Sequence, residues 1–283
     1  MPTKGSDIYG VIGDPIEHSL SPQMHNAAFK ELGLNCIYLP FRVTRRNLKS
    51  AMIGMRALNI RGFNVILPHK TAVIKFLDEL DEAAQEVGAV NTVLNDEGRL
   101  IGYNTDGLGA ARALEEQDVD PSDKRIVLVG AGGAARAIAF ALARIARSIF
   151  ILNRTRNRAL KLAKDIERRI GKKILTRSLT RNSLLEVLRD ADILINATSV
   201  GMYPRTEETV ATRKVLHSGI VVFDIVYNPI RTLLLREAEA VGAKTITGVG
   251  MLVHQGAEAF KIWTNRSPPI EVMRRTLMEE LCW

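Results

Sequence analysis

Lys124–Arg125–Ile126–Val127–Leu128–Val129–Gly130–Ala131–Gly132–Gly133–Ala134–Ala135–Arg136 decides the fold of this chain. Two cations lead into four apolar residues, a glycine turn and a small-residue segment that runs to Leu142. The pattern predicts a strand, a tight turn and a helix N-terminus. Gly130 permits the turn, Gly132 lets the backbone approach a pyrophosphate, and Ala135 keeps the helix close to the strand. The first N–H groups of a helix lack partners within it, and its dipole favours an anion.

The next apolar run, Ser148–Leu152, ends in Asn153–Arg154–Thr155. A unit selective for NAD carries an acidic residue here to accept hydrogen bonds from the ribose 2′-hydroxyl. This chain has no carboxylate at that point and places an arginine beside it. A guanidinium binds a 2′-phosphate in bidentate fashion, so the pattern predicts NADP(H) over NAD(H). Arg154 also fits a plainer role, opening the next helix.

Further strands are expected at Lys173–Arg177, Asp192–Asn196, Gly219–Asp224 and Lys244–Thr247, each after a helical stretch. This alternation predicts a doubly wound parallel sheet. Before Gly107 the pattern is less regular. Strands are expected at Tyr9–Ile12, Cys36–Phe41, Gly62–Leu67, Ala89–Asn95 and Leu100–Tyr103, and helices at Pro22–Leu32, Arg45–Leu58 and Thr71–Leu77. Asn95–Asp96–Glu97–Gly98 reads as a hairpin turn. Met251–Trp283 reads as two helices broken near Pro268–Pro269, packing back toward the first domain and leaving a cleft. The fold class is therefore α/β with two domains, 1–106 with 252–283 and 107–251.

The chain has 283 residues, 46% of them hydrophobic and 25% charged, within the globular range. No apolar run is long enough to span a bilayer, and Met1–Gly5 carries no signal core, which points to the cytoplasm. Cys36 and Cys282 are too few for a disulfide framework, and no metal-ligand spacing occurs. The net charge of +8 is concentrated between Arg144 and Arg181 on amphipathic stretches. It reads as solvated surface, with no nucleic-acid motif. Trp263 and Trp283 read as packing residues.

Three polar clusters lie outside the dinucleotide unit. In His18–Ser19–Leu20–Ser21–Pro22, with His25–Asn26 beyond it, two hydroxyls beside a helix start suit a small carboxylate; they suit a plain N-cap as well. Lys70 closes Asn64–Val65–Ile66–Leu67–Pro68–His69–Lys70 at a strand end, where α/β sheets place their sites, although a surface lysine fits equally. Gly88–Ala89–Val90–Asn91–Thr92 and Gly102–Tyr103–Asn104–Thr105–Asp106–Gly107 offer Asn91 and Asp106 for hydroxyl groups, with an N-cap as the other role for Asp106. A Lys/Asp pair can handle a proton beside a carbonyl or alcohol.

Taken in order, these clusters resemble the shikimate dehydrogenase family. The resemblance continues through Asn196–Ala197–Thr198–Ser199–Val200–Gly201–Met202, Val226–Tyr227–Asn228–Pro229, Gly248–Val249–Gly250–Met251 and Gln255–Gly256–Ala257, covering nearly the whole chain. It implies a Rossmann NADP-binding domain beside a substrate domain. It also implies reversible reduction of 3-dehydroshikimate to shikimate with NADPH, on the way to chorismate and the aromatic amino acids. By resemblance, Lys70 is the general acid/base and Asp106 its partner. Ser19, Ser21 and Tyr227 hold the substrate carboxylate, and Asn91, Asp106 and Gln255 its hydroxyls. Gly130, Ala131, Gly132, Gly133 and Ala134, with Asn153, Arg154, Thr155 and Arg158, hold the nucleotide. Thr198, Ser199, Gly201, Met202, Ile225, Gly248 and Met251 lie toward the nicotinamide. No metal, membrane or nucleic-acid partner is implied, and a homodimer is left open.

One residue departs from the pattern. The family has threonine where this chain has Ile66, which predicts weaker shikimate binding than in a threonine-bearing relative. Three alternatives remain at this stage. They are a quinate/shikimate dehydrogenase with broader substrate or cofactor use, a non-catalytic NADP-binding sensor, and a folate-type dehydrogenase. The last fits poorly with serines and amides suited to a small hydroxylated acid.

Overall fold

Apolar strands of this chain assemble into two separate six-stranded sheets. The computed structural model describes residues 5–282, so the readings of Met1–Lys4 and Trp283 lie outside the described residues. One unit reaches to Asp106 and resumes at Val253; the other runs from Gly107 to Leu252.

The first unit starts with β1 (Asp7–Gly13), α1 (Ser21–Glu31), β2 (Cys36–Arg42), α2 (Leu48–Ala57) and β3 (Gly62–Val65). It continues with β4 (Glu79–Leu80), α3 (Glu82–Val87), β5 (Thr92–Asp96) and β6 (Arg99–Tyr103). The sheet order is β2-β1-β3-β5-β6-β4, with β5 antiparallel to both neighbours. The β5–β6 turn forms where the sequence marks it. Glu97 and Gly98 take positive φ of 50° and 92°, as a tight hairpin requires. One face of the sheet buries Ile12, Phe63, Val65, Val93 and Leu100 against Leu48, Met52 and Met55. Elsewhere in the unit, the rings of Tyr9, His25, Phe29, Tyr38, Phe260 and Trp263 pack into an aromatic core. Trp263 lies there, 8% exposed, and its indole N–H donates to the Val93 carbonyl at 2.9 Å. A Cβ on Gly62 would lie 2.4 Å from the Trp263 ring, so only glycine admits it.

The second unit contains α4 (Asp106–Glu115, whose first residue closes the first unit), β7 (Arg125–Val129), α5 (Gly133–Ala143), β8 (Ser148–Asn153) and α6 (Arg156–Ile170). It continues with β9 (Leu175–Ser178), α7 (Arg181–Leu188), β10 (Ile193–Asn196), β11 (Val221–Asp224), α8 (Leu233–Glu239) and β12 (Lys244–Ile246). Its strands are all parallel in the order β12-β11-β10-β7-β8-β9, the doubly wound arrangement. Strand order reverses between β7 and β10, the place where such sheets receive ligands. The helices α9 (Gly248–Thr264) and α10 (Ile270–Leu281) follow, separated where Pro268 and Pro269 interrupt the helical hydrogen bonds.

Three local readings are corrected. Thr71–Leu77 is no α-helix: a single 3-10 turn covers Val73–Phe76. Its β-branched residues give little helical support, and tertiary contacts set the segment. The strand expected to reach Leu67 stops at Val65, because Pro68 has no N–H for a ladder and the His69 N–H turns back to the Ile66 carbonyl. The strand expected from Ala89 starts at Thr92. The short α3 has no counterpart in the sequence reading, yet both of its ends carry a signal. Asp81 accepts from the Ala84 N–H, and Gly88 ends the helix in the left-handed region.

Candidate active site

Asn64 of β3 lies in register with Thr92 of β5, which faces Tyr103 of β6. That alignment puts polar side chains at one end of the first sheet. Lys70 projects from the turn that follows β3, and its Nζ donates to Asp106 Oδ2 at 2.5 Å. The lysine side chain is 17% exposed and the aspartate 5%. Asp106 does not act as an N-cap. It is the first residue of α4, and its own N–H donates to Asn104 Oδ1. Its second oxygen accepts from Asn91 Nδ2 at 2.9 Å. The same amide nitrogen reaches Thr105 Oγ1 and Gln255 Oε1, while Asn91 Oδ1 accepts from the Thr105 N–H. Four residues expected to act together, Lys70, Asp106, Asn91 and Gln255, are thus hydrogen-bonded in one cluster. An ammonium has three donors, and the Asp106 bond occupies one of them.

The buried network extends through Asn64 and Thr92 to Tyr38, which carries no signal in sequence. Tyr38 donates from its hydroxyl to Asn64 Oδ1 at 2.7 Å, and Asn64 Nδ2 donates to Thr92 Oγ1 and the Asn91 carbonyl. Burial drives the Tyr38 phenol well above its ordinary range, so it stays a neutral donor. Ser21 is buried beside that phenol as the first residue of α1. The N-cap is Leu20, which makes no side-chain cap, so neither Ser19 nor Ser21 serves as one. His25 belongs to the core: it stacks on Tyr38 at 4.6 Å and burial holds its pKa at about 3. Ile66 packs directly on Gly13; a Cβ there would lie 2.3 Å from Ile66 Cγ1.

In the second unit, Gly130 follows β7 with φ of 122°, and a Cβ on it would meet the Ala197 carbonyl oxygen at 2.7 Å. Gly132 is the N-cap of α5, makes no side-chain cap and has open space on its Cβ side. The leading N–H groups of α5 beside Ala131, Gly133 and Ala134 therefore face a side-chain-free cradle that fits a pyrophosphate. Asn153, Arg154 and Thr155 follow on the neighbouring β8, with Asn153 Nδ2 bonded to the Thr155 carbonyl. Arg154 and Arg158 are exposed, and neither has a carboxylate partner among the described residues. Arg136 is committed elsewhere, to Asp165 at 2.8 Å.

The remaining residues of the second unit are held by a device that the sequence reading lacks. Asn196 and Asp224 end adjacent strands in register. Asp224 accepts from Asn196 Nδ2, the Val226 N–H and the Thr232 hydroxyl. Asn196 in turn accepts from Thr198 and donates to the Val200 carbonyl. The network pins the loop bearing Thr198, Ser199, Gly201 and Met202 to the loop bearing Ile225 and Tyr227. Gly248, at the start of α9, abuts the Ile225 carbonyl so closely that a Cβ would sit 2.3 Å from it; Met251 is buried one turn on.

Burial raises Asp224 from 3.8 to about 6, against the three donors that pull it down. The folded protein therefore prefers this carboxyl protonated. The stability linked to it is full below about 3.8 and is lost as pH climbs through about 6. Comparing Asp224→Asn with wild type by denaturant unfolding, the difference is expected to move toward the variant by about 2 to 3 kcal/mol between pH 4 and pH 7. A pH-independent difference would refute the assignment.

An ammonium donor fixed by a buried carboxylate and, in a doubly wound unit, an uncapped glycine turn are the working parts of a nicotinamide-dependent oxidoreductase. Residues 11–93 match the shikimate dehydrogenase substrate binding domain, 112–230 the shikimate/quinate 5-dehydrogenase model, and 248–278 the shikimate 5′-dehydrogenase C-terminal domain. The chain belongs to the shikimate dehydrogenase family. A shikimate dehydrogenase (NADP(+)) of Methanosarcina acetivorans is 52% identical over 278 residues, covering 97% of this chain and 98% of that protein. A solved shikimate dehydrogenase in complex with NADP+ is 49% identical with a TM-score of 0.94, covering 99% of this chain and 98% of that one. Another, from Thermus thermophilus in complex with NADP(H) and shikimate, is 37% identical with a TM-score of 0.86, covering 96% and 99%. No helix among the described residues is long and apolar enough to cross a membrane.

Proposed function

We propose that this protein catalyses the reversible, NADPH-dependent reduction of 3-dehydroshikimate to shikimate, supplying chorismate and aromatic amino-acid synthesis. The buried Lys70–Asp106 pair carries the reading. NADPH supplies the hydride to the carbonyl carbon. Negative charge then grows on the carbonyl oxygen, and the Lys70 ammonium both stabilises it and delivers the proton. In reverse, neutral Lys70 takes the proton of the alcohol. Asp106 holds Lys70 in place and, with Asn91 and Gln255, offers hydrogen bonds to ring hydroxyls. Ser19, Ser21 and Tyr227 are assigned to the carboxylate, and the glycine turn, Arg154 and Arg158 to the nucleotide phosphates.

Nicotinamide absorbance with shikimate and NADP+ tests this directly, with NAD+ and quinate in parallel. Turnover of shikimate with NADP+ alone supports the reading. Comparable turnover of quinate supports the second one, a shikimate/quinate enzyme, which the description of the 112–230 match favours. NADPH binding without any turnover would leave a sensor.

Ile66 supplies a sharper check. Threonine there would relieve bulk over Gly13 and add one hydroxyl. Ile66→Thr is expected to lower the KM for shikimate about fivefold, the worth of one neutral hydrogen bond. Unchanged KM and kcat would remove position 66 from substrate recognition. The same reading places the enzyme in the cytoplasm, with Cys36 and Cys282 as free thiols, and includes a homodimer that light scattering would detect.

A further inference from the structure

A cavity of about 450 Å³ opens in the first unit, and none of Lys70, Asp106, Asn91, Gln255 or the two serines lines it. Its charged lining is of one sign: Arg45, Arg46, Lys49 and Lys75, with no carboxylate. None of these four cations has a carboxylate partner among the described residues. Other arginines of the same unit do: Arg42, Arg56, Arg61 and Arg99 each pair with an aspartate or glutamate. Gathering unpaired like charges around one concavity costs stability unless an anion enters it, and the concavity focuses their field.

Two further features converge on the same place. The 3-10 turn Arg45–Asn47 leads directly into α2, and neither Thr44 nor Asn47 caps its helical turn with a side chain. This ten-residue helix thus begins without a side-chain cap, with Leu48 and Lys49 of its first turn on the cavity wall and the positive end of its dipole there. On the cavity wall, His69 is fully buried and its Nε2 donates to the Val43 carbonyl at 2.6 Å. With Nε2 donating, its Nδ1 is an acceptor, buried with no partner among the described residues, and it suits a hydroxyl of an organic group, not an anionic oxygen.

We propose that this cavity is a binding site for a small organic phosphate, separate from both the substrate and the dinucleotide sites. The volume suits a small metabolite. A phosphate group concentrates up to two charges and three acceptor oxygens on one centre, so four cations around one concavity hold it better than a lone carboxylate. Phe76, with Lys75 Nζ 5.0 Å from its ring centre, supplies an apolar wall for the organic part. The site stands independently of the reductase reading, because binding is measured directly.

The test is calorimetric titration of inorganic pyrophosphate into protein saturated with NADP+, so that the glycine turn is already filled. Wild type is expected to bind one equivalent. Arg46→Gln/Lys49→Gln is expected to bind at least about tenfold more weakly, with unchanged thermal unfolding and unchanged NADP+ affinity. Arg154→Ser is expected to bind pyrophosphate as wild type does. Citrate serves as the carboxylate arm and is expected to bind more weakly than pyrophosphate. The proposal fails if wild type does not bind, if the double variant binds equally well, if Arg154→Ser removes the binding, or if citrate matches pyrophosphate.

Discussion

Replacing Lys70 with methionine is expected to lower kcat for 3-dehydroshikimate reduction by about 100- to 10,000-fold, the range of a positioned proton donor. The variant keeps the glycine turn of the second unit, so its affinity for NADPH, read by fluorescence titration, is expected to stay at the wild-type value. Methionine also leaves the buried Asp106 carboxylate facing Asn91 without its cation. The protein is therefore expected to melt at a lower temperature, since an unpaired buried charge is destabilising. Lys70→Arg separates the two effects. It restores a positive charge beside Asp106 but offers a group that gives up its proton poorly. Stability is expected to recover while kcat stays low. Wild-type turnover in either variant would take Lys70 out of the mechanism.

Arg154→Ser is expected to raise the dissociation constant for NADP+ by roughly tenfold to a hundredfold and to leave that for NAD+ unchanged. Hydrogen bonds from a guanidinium to a phosphate are each worth about 1.5 to 3 kcal/mol, and every 1.4 kcal/mol is tenfold. Arg154 is exposed, which places the effect toward the lower end and makes it shrink with added salt. Arg158, one helical turn further, is expected to retain part of the preference. Equal weakening of both cofactors would show that Arg154 shapes the loop and does not read the 2′-phosphate.

The doubly wound unit was legible because its signals are local. A strand, a positive-φ glycine and a small-residue helix occupy thirteen consecutive residues from Lys124 to Arg136. The Asn95–Gly98 hairpin was legible for the same reason. The Lys70–Asp106 pair was not legible from residue patterns alone, since its members are 36 positions apart and each has an ordinary local role to fill. It came through the resemblance. Tyr38 of β2 and Asn64 of β3 meet across the intervening β1, and a cross-sheet hydrogen bond leaves no period in sequence. Asp224 reads in sequence as no more than the polar end of the apolar strand Gly219–Asp224. Thr71–Leu77 misleads in the opposite direction: the run suggests a helix, but its β-branched residues support one poorly and only a 3-10 turn forms over Val73–Phe76.

The first unit is made of two separated pieces of chain, and this orders events during synthesis. The second unit has all its strands once residue 252 has been made. The first has its complete sheet far earlier, yet lacks Trp263, which bonds to Val93 across 170 residues, and Gln255, which reaches Asn91 across 164. Until the ribosome delivers α9 and α10, the aromatic rings of α1 and β2 have no cover and the amide cluster has no lid. The half that carries the Lys70–Asp106 pair is thus the last to be finished. A chain ending before Val253 would keep its glycine turn while presenting apolar surface open to aggregation.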